Sequence, residues 1–119
     1  TVAPSIRGTV DEGSQVQGNG VLEEGAVLVE SVVHGPAVIG RNTRIEHAYV
    51  GPFTSIYHDC TIRNAEIGGS VVLEHTVIED LPHRIEGSLI GRFVSVRGNH
   101  RRPRSYRLVL GDHSSVSTP

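Results

Sequence analysis

Seven histidines are the side chains of this 119-residue sequence with the clearest capacity for chemistry. Two of them, His58 and His75, are 17 residues apart. An imidazole can bind a metal ion, hold an anion or carry a proton near neutral pH. If the chain repeats every 17 residues, these two rings lie one above the other at a spacing of about 4.8 Å. The pattern then predicts a column of Glu24, Arg41, His58, His75 and Arg92 along one edge of the molecule.

This column has two interpretations. It could bind a metal or an anion between the stacked imidazoles, or it could be an exposed ladder of mixed charge with no ligand. The sequence contains no GxGxxG or GxxxxGK[ST] phosphate loop and no GxSxG nucleophile motif. We therefore predict no catalytic, cofactor-binding or metal-binding residue in this chain and take the ladder as the simpler interpretation.

The 17-residue period itself comes from the aliphatic residues. The first column consists of Leu22, Ile39, Ile56, Leu73 and Ile90. A second column with the same step contains Val16, Val33, Val50 and Ile67. A third keeps the step almost throughout, with Leu28, Ile45, Ile62, Ile78 and Val96. Three aliphatics per period, five or six residues apart, are typical of hexapeptide repeats stacked in a parallel β-helix.

The residues between these columns support short strands and tight corners. A small residue usually stands two positions before each large aliphatic, and the residue between them is often polar, which is the alternation of a strand. Gly25, Asn42 and Asp59 form a column of residues that tolerate positive φ, as corners require. The predicted fold class is all-β, a single-stranded parallel β-helix with about 17 residues per coil.

The whole chain, 1–119, is predicted to form one β-helix domain. Residues 1–9 read as a lead-in, and 10–96 as the coils. The segment 79–84 contains Pro and charges and is expected to bulge outward as a corner loop. The arginine-rich segment 97–119 is expected to cap the last coil, because a solenoid needs covered ends. The sequence begins without a methionine, and we expect the natural protein to extend further on that side.

Composition excludes several classes of partner. The formal net charge is −2 and the pI is near 6.3, so no nucleic-acid or membrane partner is expected from bulk charge. No apolar stretch is long enough to span a bilayer, and no signal peptide is seen. The single cysteine, Cys60, stands between Thr43 and Thr76 in the small-residue column and is predicted to be a buried small residue. We expect a reducing, cytoplasmic location.

Two enzyme classes are built on such helices. Gamma-type carbonic anhydrases bind zinc through histidines, two of which are five residues apart, and no such pair occurs here. Hexapeptide acyltransferases use a histidine as general base, and His34, His47, His58 and His83 are all formal candidates. The acyltransferase therefore stays open as an alternative without a specific residue.

Several runs of sequence resemble one family. These are HGPAVIGRNTRIEHAYVGPFTSIYHDCTI, EIGGSVVLEHTVI, RIEGSLIGR and RLVLGDHSSV, preceded by GTVDEGSQVQGNGVLEEGAVL. They are similar to the carboxy-terminal domain of long-form glucose-1-phosphate thymidylyltransferases. The resemblance implies a left-handed helix. It also implies a parent that makes dTDP-glucose and pyrophosphate from dTTP and glucose 1-phosphate, using Mg²⁺ in an amino-terminal catalytic domain absent from this sequence. The chain alone is expected to be inactive.

The resemblance leaves assembly or regulation as the expected role. Val21, Val38 and Val72, with Ser55 between them, are predicted to form an outward apolar column. Such a stripe suggests a contact with another copy or with the missing amino-terminal catalytic domain. The alternatives are a hexapeptide acyltransferase and a non-catalytic structural scaffold.

Overall fold

The computed structural model describes residues 4–99 and 105–109, and these ranges contain strands and turns without a helix. None of the described residues forms an apolar helix of membrane-spanning length. The strands of the first sheet, sheet A, are β1 (Ser5–Ile6), β4 (Gly20–Leu22), β7 (Ala37–Ile39), β10 (Thr54–Ile56), β13 (Val71–Val72) and β16 (Leu89–Ile90). Sheet B contains β2 (Thr9–Val10), β5 (Val27–Val29), β8 (Arg44–Glu46), β11 (Thr61–Arg63), β14 (Val77–Glu79), β17 (Ser95–Asn99) and β18 (Ser105–Val109). Sheet C contains β3 (Gln15–Gln17), β6 (Val32–His34), β9 (Tyr49–Val50), β12 (Glu66–Gly68) and β15 (Ile85–Glu86).

The chain visits the three sheets in the order A, B, C and then returns to A one level higher. Strands that are neighbours in a sheet therefore belong to successive coils, and they pair in parallel. The exception is the last pair, in which β17 and β18 run antiparallel. The result is a parallel β-solenoid of about five turns, which confirms the predicted fold class.

The core fills the inside of this three-sided coil. In one coil, Ile39, Ile45 and Val50 come from sheets A, B and C and are all fully buried. The small residues predicted two positions before them, such as Ala37, Thr43 and Ala48, are buried as well. Large and small side chains alternate inward because a coil of this perimeter has little internal volume.

The predicted 17-residue register is wrong in the upper coils of sheet A. Ile56 pairs with Val72, 16 positions later, and Val72 pairs with Ile90, 18 positions later. Val72 is fully buried, and Leu73 is only partly buried. The core column is therefore completed by Val72 and not by Leu73. The short and long steps cancel over two coils, so Ile90 returns to the original register.

The lengths of two corners cause this shift. At the corner from sheet C to sheet A, the inward residue Thr54 follows Val50 by four positions, whereas Ser70 follows Ile67 by only three. Ser88 likewise follows Ile85 by only three positions. The loop after β14 makes up for both losses, because Ile85 follows Ile78 by seven positions whereas Ile67 follows Ile62 by five. This loop lies in 79–84, the segment that was predicted to bulge outward.

The two ends of the helix extend the sheets further than the coil pattern indicated. Strand β1, inside the segment 1–9 expected as a lead-in, pairs in parallel with β4, and β2, which begins at the last residue of that segment, pairs with β5. At the other end, β17 pairs with β18 along five residues, from Ser95 opposite Val109 to Asn99 opposite Ser105. The remainder of the predicted cap, 100–104 and 110–119, lies outside the described residues.

The corner between sheets A and B has the predicted left-handed backbone. Gly25, Asn42 and Asp59 have φ of 79°, 56° and 56°. The column continues upward with His75 at 59° and Phe93 at 55°. The corner column was thus predicted correctly for its lower three members, and its upper two members were missed.

Candidate functional site

The candidate site is this corner between sheets A and B, where two histidines from successive coils meet. The amide of Asp59 donates to the carbonyl of Arg41 at 2.8 Å, and the amide of His75 donates to the carbonyl of His58 at 3.3 Å. One coil higher, the amide of Phe93 donates to the carbonyl of Glu74 at 3.1 Å. By this pattern Glu74, not His75, lies one coil above His58, and His75 lies one coil above Asp59.

The predicted column of Glu24, Arg41, His58, His75 and Arg92 is therefore wrong at its fourth member. The physical reason is the 16-residue step of that coil, which moves His75 from the column of His58 into the neighbouring column of left-handed corner residues. Arg92 keeps its place and lies 3.9 Å from Glu74 in an ion pair.

The side chains of His58, Asp59 and His75 nevertheless converge. The His58 Nδ1 and Asp59 Oδ2 atoms are 2.6 Å apart and share a hydrogen bond. The rings of His58 and His75 meet edge to face, with centroids 5.5 Å apart. The potential ligand atoms of the three residues all lie within 4.8 Å of one another. The structure thus brings together the two histidines that the sequence singled out and adds a carboxylate.

Phe93 lies one coil above this group and packs against it. Its ring is parallel to that of His75, with centroids 4.7 Å apart and 7° between the planes. Phe93 is 70% exposed, so a large apolar side chain remains in contact with solvent in order to make this stack. Phe93 lies 34 residues, or two full periods, after Asp59 and so fits the column of corner residues by spacing. Sequence reasoning missed it because the strict step puts Thr76 between them and because phenylalanine is not a residue type that favours positive φ.

The electrostatics of the corner favour an ionised carboxylate. The hydrogen bond from His58 is the main cause that lowers the pKa of Asp59 below its usual value. Desolvation is the next largest effect and opposes this shift, while the nearby charges of His58, His75 and Arg41 lower the pKa further. Asp59 therefore offers a negatively charged oxygen beside two imidazoles.

The other candidate histidines lie elsewhere. His34 ends β6, and His83 lies in the loop between β14 and β15. His47 lies at the corner between sheets B and C, where its Nδ1 is 3.0 Å from an oxygen of Glu30. In the part of the chain that is described, only His58 and His75 form a histidine pair in ring contact.

Cys60 is buried in the small-residue column, as predicted. Its neighbours above and below are the buried Thr76 and Thr43, and its thiol donates to the carbonyl of Leu73 at 3.2 Å. Burial raises the pKa of the Cys60 thiol to about 11. A thiol that is both buried and protonated is a poor nucleophile, so Cys60 has a structural role.

A second feature is the outer face of sheet A, which we call face A. Its outward column consists of Ser5, Val21, Val38, Ser55, Val71 and Leu89. The predicted column contained Val72 in place of Val71, and this was wrong because Val72 points into the core. The strands of sheet A contain no charged residue.

Exposed apolar side chains concentrate around face A. The large hydrophobic residues that are exposed in the described part of the chain are Ile6, Val38, Phe53, Tyr57, Leu89 and Phe93. Each of these residues lies in a strand of sheet A or within three positions of such a strand. Face A is therefore the apolar side of the prism.

The outer faces of sheets B and C are charged instead. On sheet B, Glu79 lies 3.2 Å from Arg97 and also pairs with Arg63. Beside sheet C, Arg84 lies between the carboxylates of Glu66 and Glu86, at 3.5 and 3.1 Å. Rows of ion pairs of this kind are typical of a surface in contact with water. Face A has no such ion pairs in its strands.

The chain has two curated relatives of high similarity. It is 47% identical over 114 residues to the glucose-1-phosphate thymidylyltransferase of Streptomyces griseus, and 46% identical over 113 residues to that of Streptomyces antibioticus. These matches cover 96% and 95% of this chain. The chain resembles a domain of glucose-1-phosphate thymidylyltransferases. The resemblance predicted from the sequence is thereby confirmed.

The match is confined to one part of these thymidylyltransferases. The chain spans 32% of the length of each, in their carboxy-terminal region. No model of a protein family matches the chain.

A solved structure supports the fold. The acetyltransferase domain of PglB from Neisseria gonorrhoeae superposes with a TM-score of 0.56, at 16% identity, over 88% of this chain and 57% of that domain. At this identity the likeness concerns the fold alone. It agrees with the predicted left-handed β-helix of hexapeptide repeats.

Proposed function

We propose that this chain is the carboxy-terminal domain of a glucose-1-phosphate thymidylyltransferase and that it holds copies of the enzyme together through face A. The family assignment rests on the high identity to two such enzymes along almost the whole chain. The relatives are about three times longer, so the catalytic machinery belongs to sequence outside this chain. That machinery would use Mg²⁺, dTTP and glucose 1-phosphate, and the enzyme would act in the cytoplasm.

Face A supports the assembly role. It is an uncharged sheet surface, and the exposed aliphatic residues Val38 and Leu89 lie on it. The aromatic residues Phe53 and Phe93 lie at the two corners that border it. Aromatic and aliphatic groups of this kind form the centres of protein interfaces and lose unfavourable contact with water on association. A second copy of this chain presents the same flat apolar face, which makes self-association the proposed contact.

The test is the association state of the chain measured by sedimentation velocity. Val38→Asp and Val71→Asp each place a charge on face A, and Val77→Asp places the same charge on the outer side of sheet B. We expect the unaltered chain and Val77→Asp to form an oligomer, and the two face A variants to be monomeric. A chain that is monomeric in all four forms would refute self-association through this face.

The family assignment has a separate test. The native polypeptide that contains this sequence is expected to be about three times as long as the chain, by analogy with its relatives. It should release pyrophosphate from dTTP and glucose 1-phosphate, and the isolated chain should not. A native product the size of this chain would refute the assignment and would favour the scaffold.

The acyltransferase remains the second candidate because the PglB domain shares the fold. It predicts turnover of acetyl-coenzyme A by this chain alone, with loss of turnover in a histidine variant. We expect no turnover, because the likeness to PglB concerns the fold alone.

A further inference from the structure

We propose that His58, Asp59 and His75 form a binding site for a transition-metal dication, with Zn²⁺ as the best-suited ion. This inference concerns the corner between sheets A and B and does not depend on the proposed function. It rests on the convergence of three ligand side chains from two successive coils.

The set of donor atoms suits zinc. Two imidazole nitrogens and one carboxylate oxygen are the ligands of three-coordinate protein sites in which water completes the tetrahedron. Ligands bound to one Zn²⁺ at about 2.0–2.2 Å lie about 3–4 Å from each other. The potential donors here already lie within 4.8 Å, and Asp59 and His75 are exposed while His58 is half-buried, so small side-chain rotations suffice.

The backbone fixes the positions of these side chains. Asp59 and His75 both have positive φ and belong to the same corner column, at φ of 56° and 59°. The 16-residue step of this coil is what brings His75 over Asp59. With the predicted 17-residue step, His75 would lie over His58, one position further from the carboxylate-bearing corner.

Two contacts orient the rings before any ion binds. The hydrogen bond between His58 Nδ1 and Asp59 Oδ2, at 2.6 Å, holds these two groups together. The stack on Phe93 fixes the plane of the His75 ring. Partners that orient ligand side chains in this way contribute to metal affinity. If the ion binds His58 through Nδ1, it replaces the shared proton, which passes to the solvent.

The surrounding charges allow a bound dication. Asp59 supplies one negative charge, and the carboxylate of Glu74, one position before His75, adds another. The guanidinium of Arg92 lies 3.9 Å from Glu74 and faces the carboxylate from the coil above. Arg41, on the coil below, acts on Asp59 from a distance, so Arg92 and Arg41 are the two opposing cations.

A second corner of the protein provides the matched control. His47 has positive φ and lies 3.0 Å from the carboxylate of Glu30, so it repeats the histidine–carboxylate pair on another edge. In the described part of the chain, only the group at His58 contains three potential ligands within reach of one ion. An exposed charge ladder without metal affinity would behave alike at both corners.

The experiment is calorimetric titration of the tag-free, chelator-treated chain with ZnCl₂. We expect one saturable site per chain. Asp59→Asn, His75→Asn and His58→Ala should each weaken binding by at least about tenfold, whereas His47→Ala should bind like the unaltered chain. Asn accepts positive φ, so the substitutions at Asp59 and His75 preserve the corner backbone.

A second measurement reports the ligands directly. Co²⁺ in a nitrogen- and oxygen-ligated site gives visible absorption bands, which we expect in the unaltered chain and in His47→Ala but not in His75→Asn. Far-UV circular dichroism of each variant verifies the fold. The proposal is overturned if the chain shows no saturable binding, or if all variants bind Zn²⁺ with equal affinity.

Discussion

The imidazole ring of His75 stacks on the phenyl ring of Phe93, with 4.7 Å between the centroids and 7° between the planes. Both residues have positive φ. Histidine tolerates this conformation, but it is unfavourable for a bulky residue such as phenylalanine. The contact between the two rings therefore offsets the conformational free energy that positive φ costs at Phe93. The difference between these two free energies can be measured.

We predict that Phe93→Asn changes the free energy of unfolding by less than about 1 kcal/mol. The substitution relieves about 1–2 kcal/mol of left-handed strain but removes a ring pair worth about 0.5–1.5 kcal/mol. Phe53 is the control, since it has φ of 61°, is 76% exposed and makes no ring contact among the described residues. Phe53→Asn should stabilise the chain by about 1 kcal/mol in urea unfolding at a dilution where it is monomeric. A marked loss of stability in both variants would contradict this balance.

The register of sheet A predicts opposite effects at two adjacent valines. Val72→Asp places a charge in the core, where it has no partner, and should destabilise the fold by at least about 3 kcal/mol. Val71→Asp places the same charge on face A and should change the stability of the monomer by about 0.5 kcal/mol or less. Chemical unfolding monitored by circular dichroism distinguishes them. Equal effects would mean that this coil does not have the 16-residue step.

Thr43 connects two coils through a buried hydroxyl. The hydroxyl donates to the carbonyl of Tyr57 at 2.7 Å and accepts from the amide of Cys60 at 3.1 Å. Thr43→Val keeps the shape but leaves both backbone groups unpaired, and should cost about 1–3 kcal/mol of unfolding free energy. Thr61→Val, on the outward side of β11, is the control and should have little effect. A neutral Thr43→Val would show that the hydroxyl does not stabilise the stack.

The thiol of Cys60 predicts a dependence of stability on pH. Burial raises its pKa from 9.0 to about 11 in the folded chain. Below pH 9 the thiol is protonated in both states and stability is unaffected. From pH 9 to pH 11 the unfolded chain loses this proton while the folded chain keeps it, so stability falls as pH rises. The loss amounts to at most about 3 kcal/mol.

The matched variant for this prediction is Cys60→Thr, which repeats the residue found above and below in the same column. It should fold with similar stability at pH 8 and should lack the additional loss between pH 9 and pH 11. The measurement is the difference between the two unfolding free energies at each pH. An identical pH profile for both proteins would show that the thiol does not titrate in this range.

Much of the architecture was predictable from residue spacing. A narrow three-sided coil has room for one large aliphatic and one small residue on each side. Large aliphatic residues equivalent to Ile39, Ile45 and Val50 therefore recur with a period equal to the number of residues in one coil. The corner residues Gly25 and Asn42 were predictable for a local reason, because few residue types accept positive φ.

The exact register of the upper coils was not predictable in this way. The sequence Val71–Val72–Leu73 contains three adjacent aliphatic residues, so the alternation of apolar and polar residues does not show which side chain points inward. The corners before Ser70 and Ser88 each lack one residue, and the loop before Ile85 has two more, so these changes cancel and leave the overall period intact.

The sequence by itself determined the repeating coil, its small-and-large core and the resemblance to thymidylyltransferases, because these depend on local spacing and residue type. The tertiary structure decided which residues meet across coils. It placed Val71 on face A and Val72 in the core, and it moved His75 beside Asp59. The physical reason is that hydrogen bonds between successive coils set the register, and this register pairs residues that are 16 to 18 positions apart.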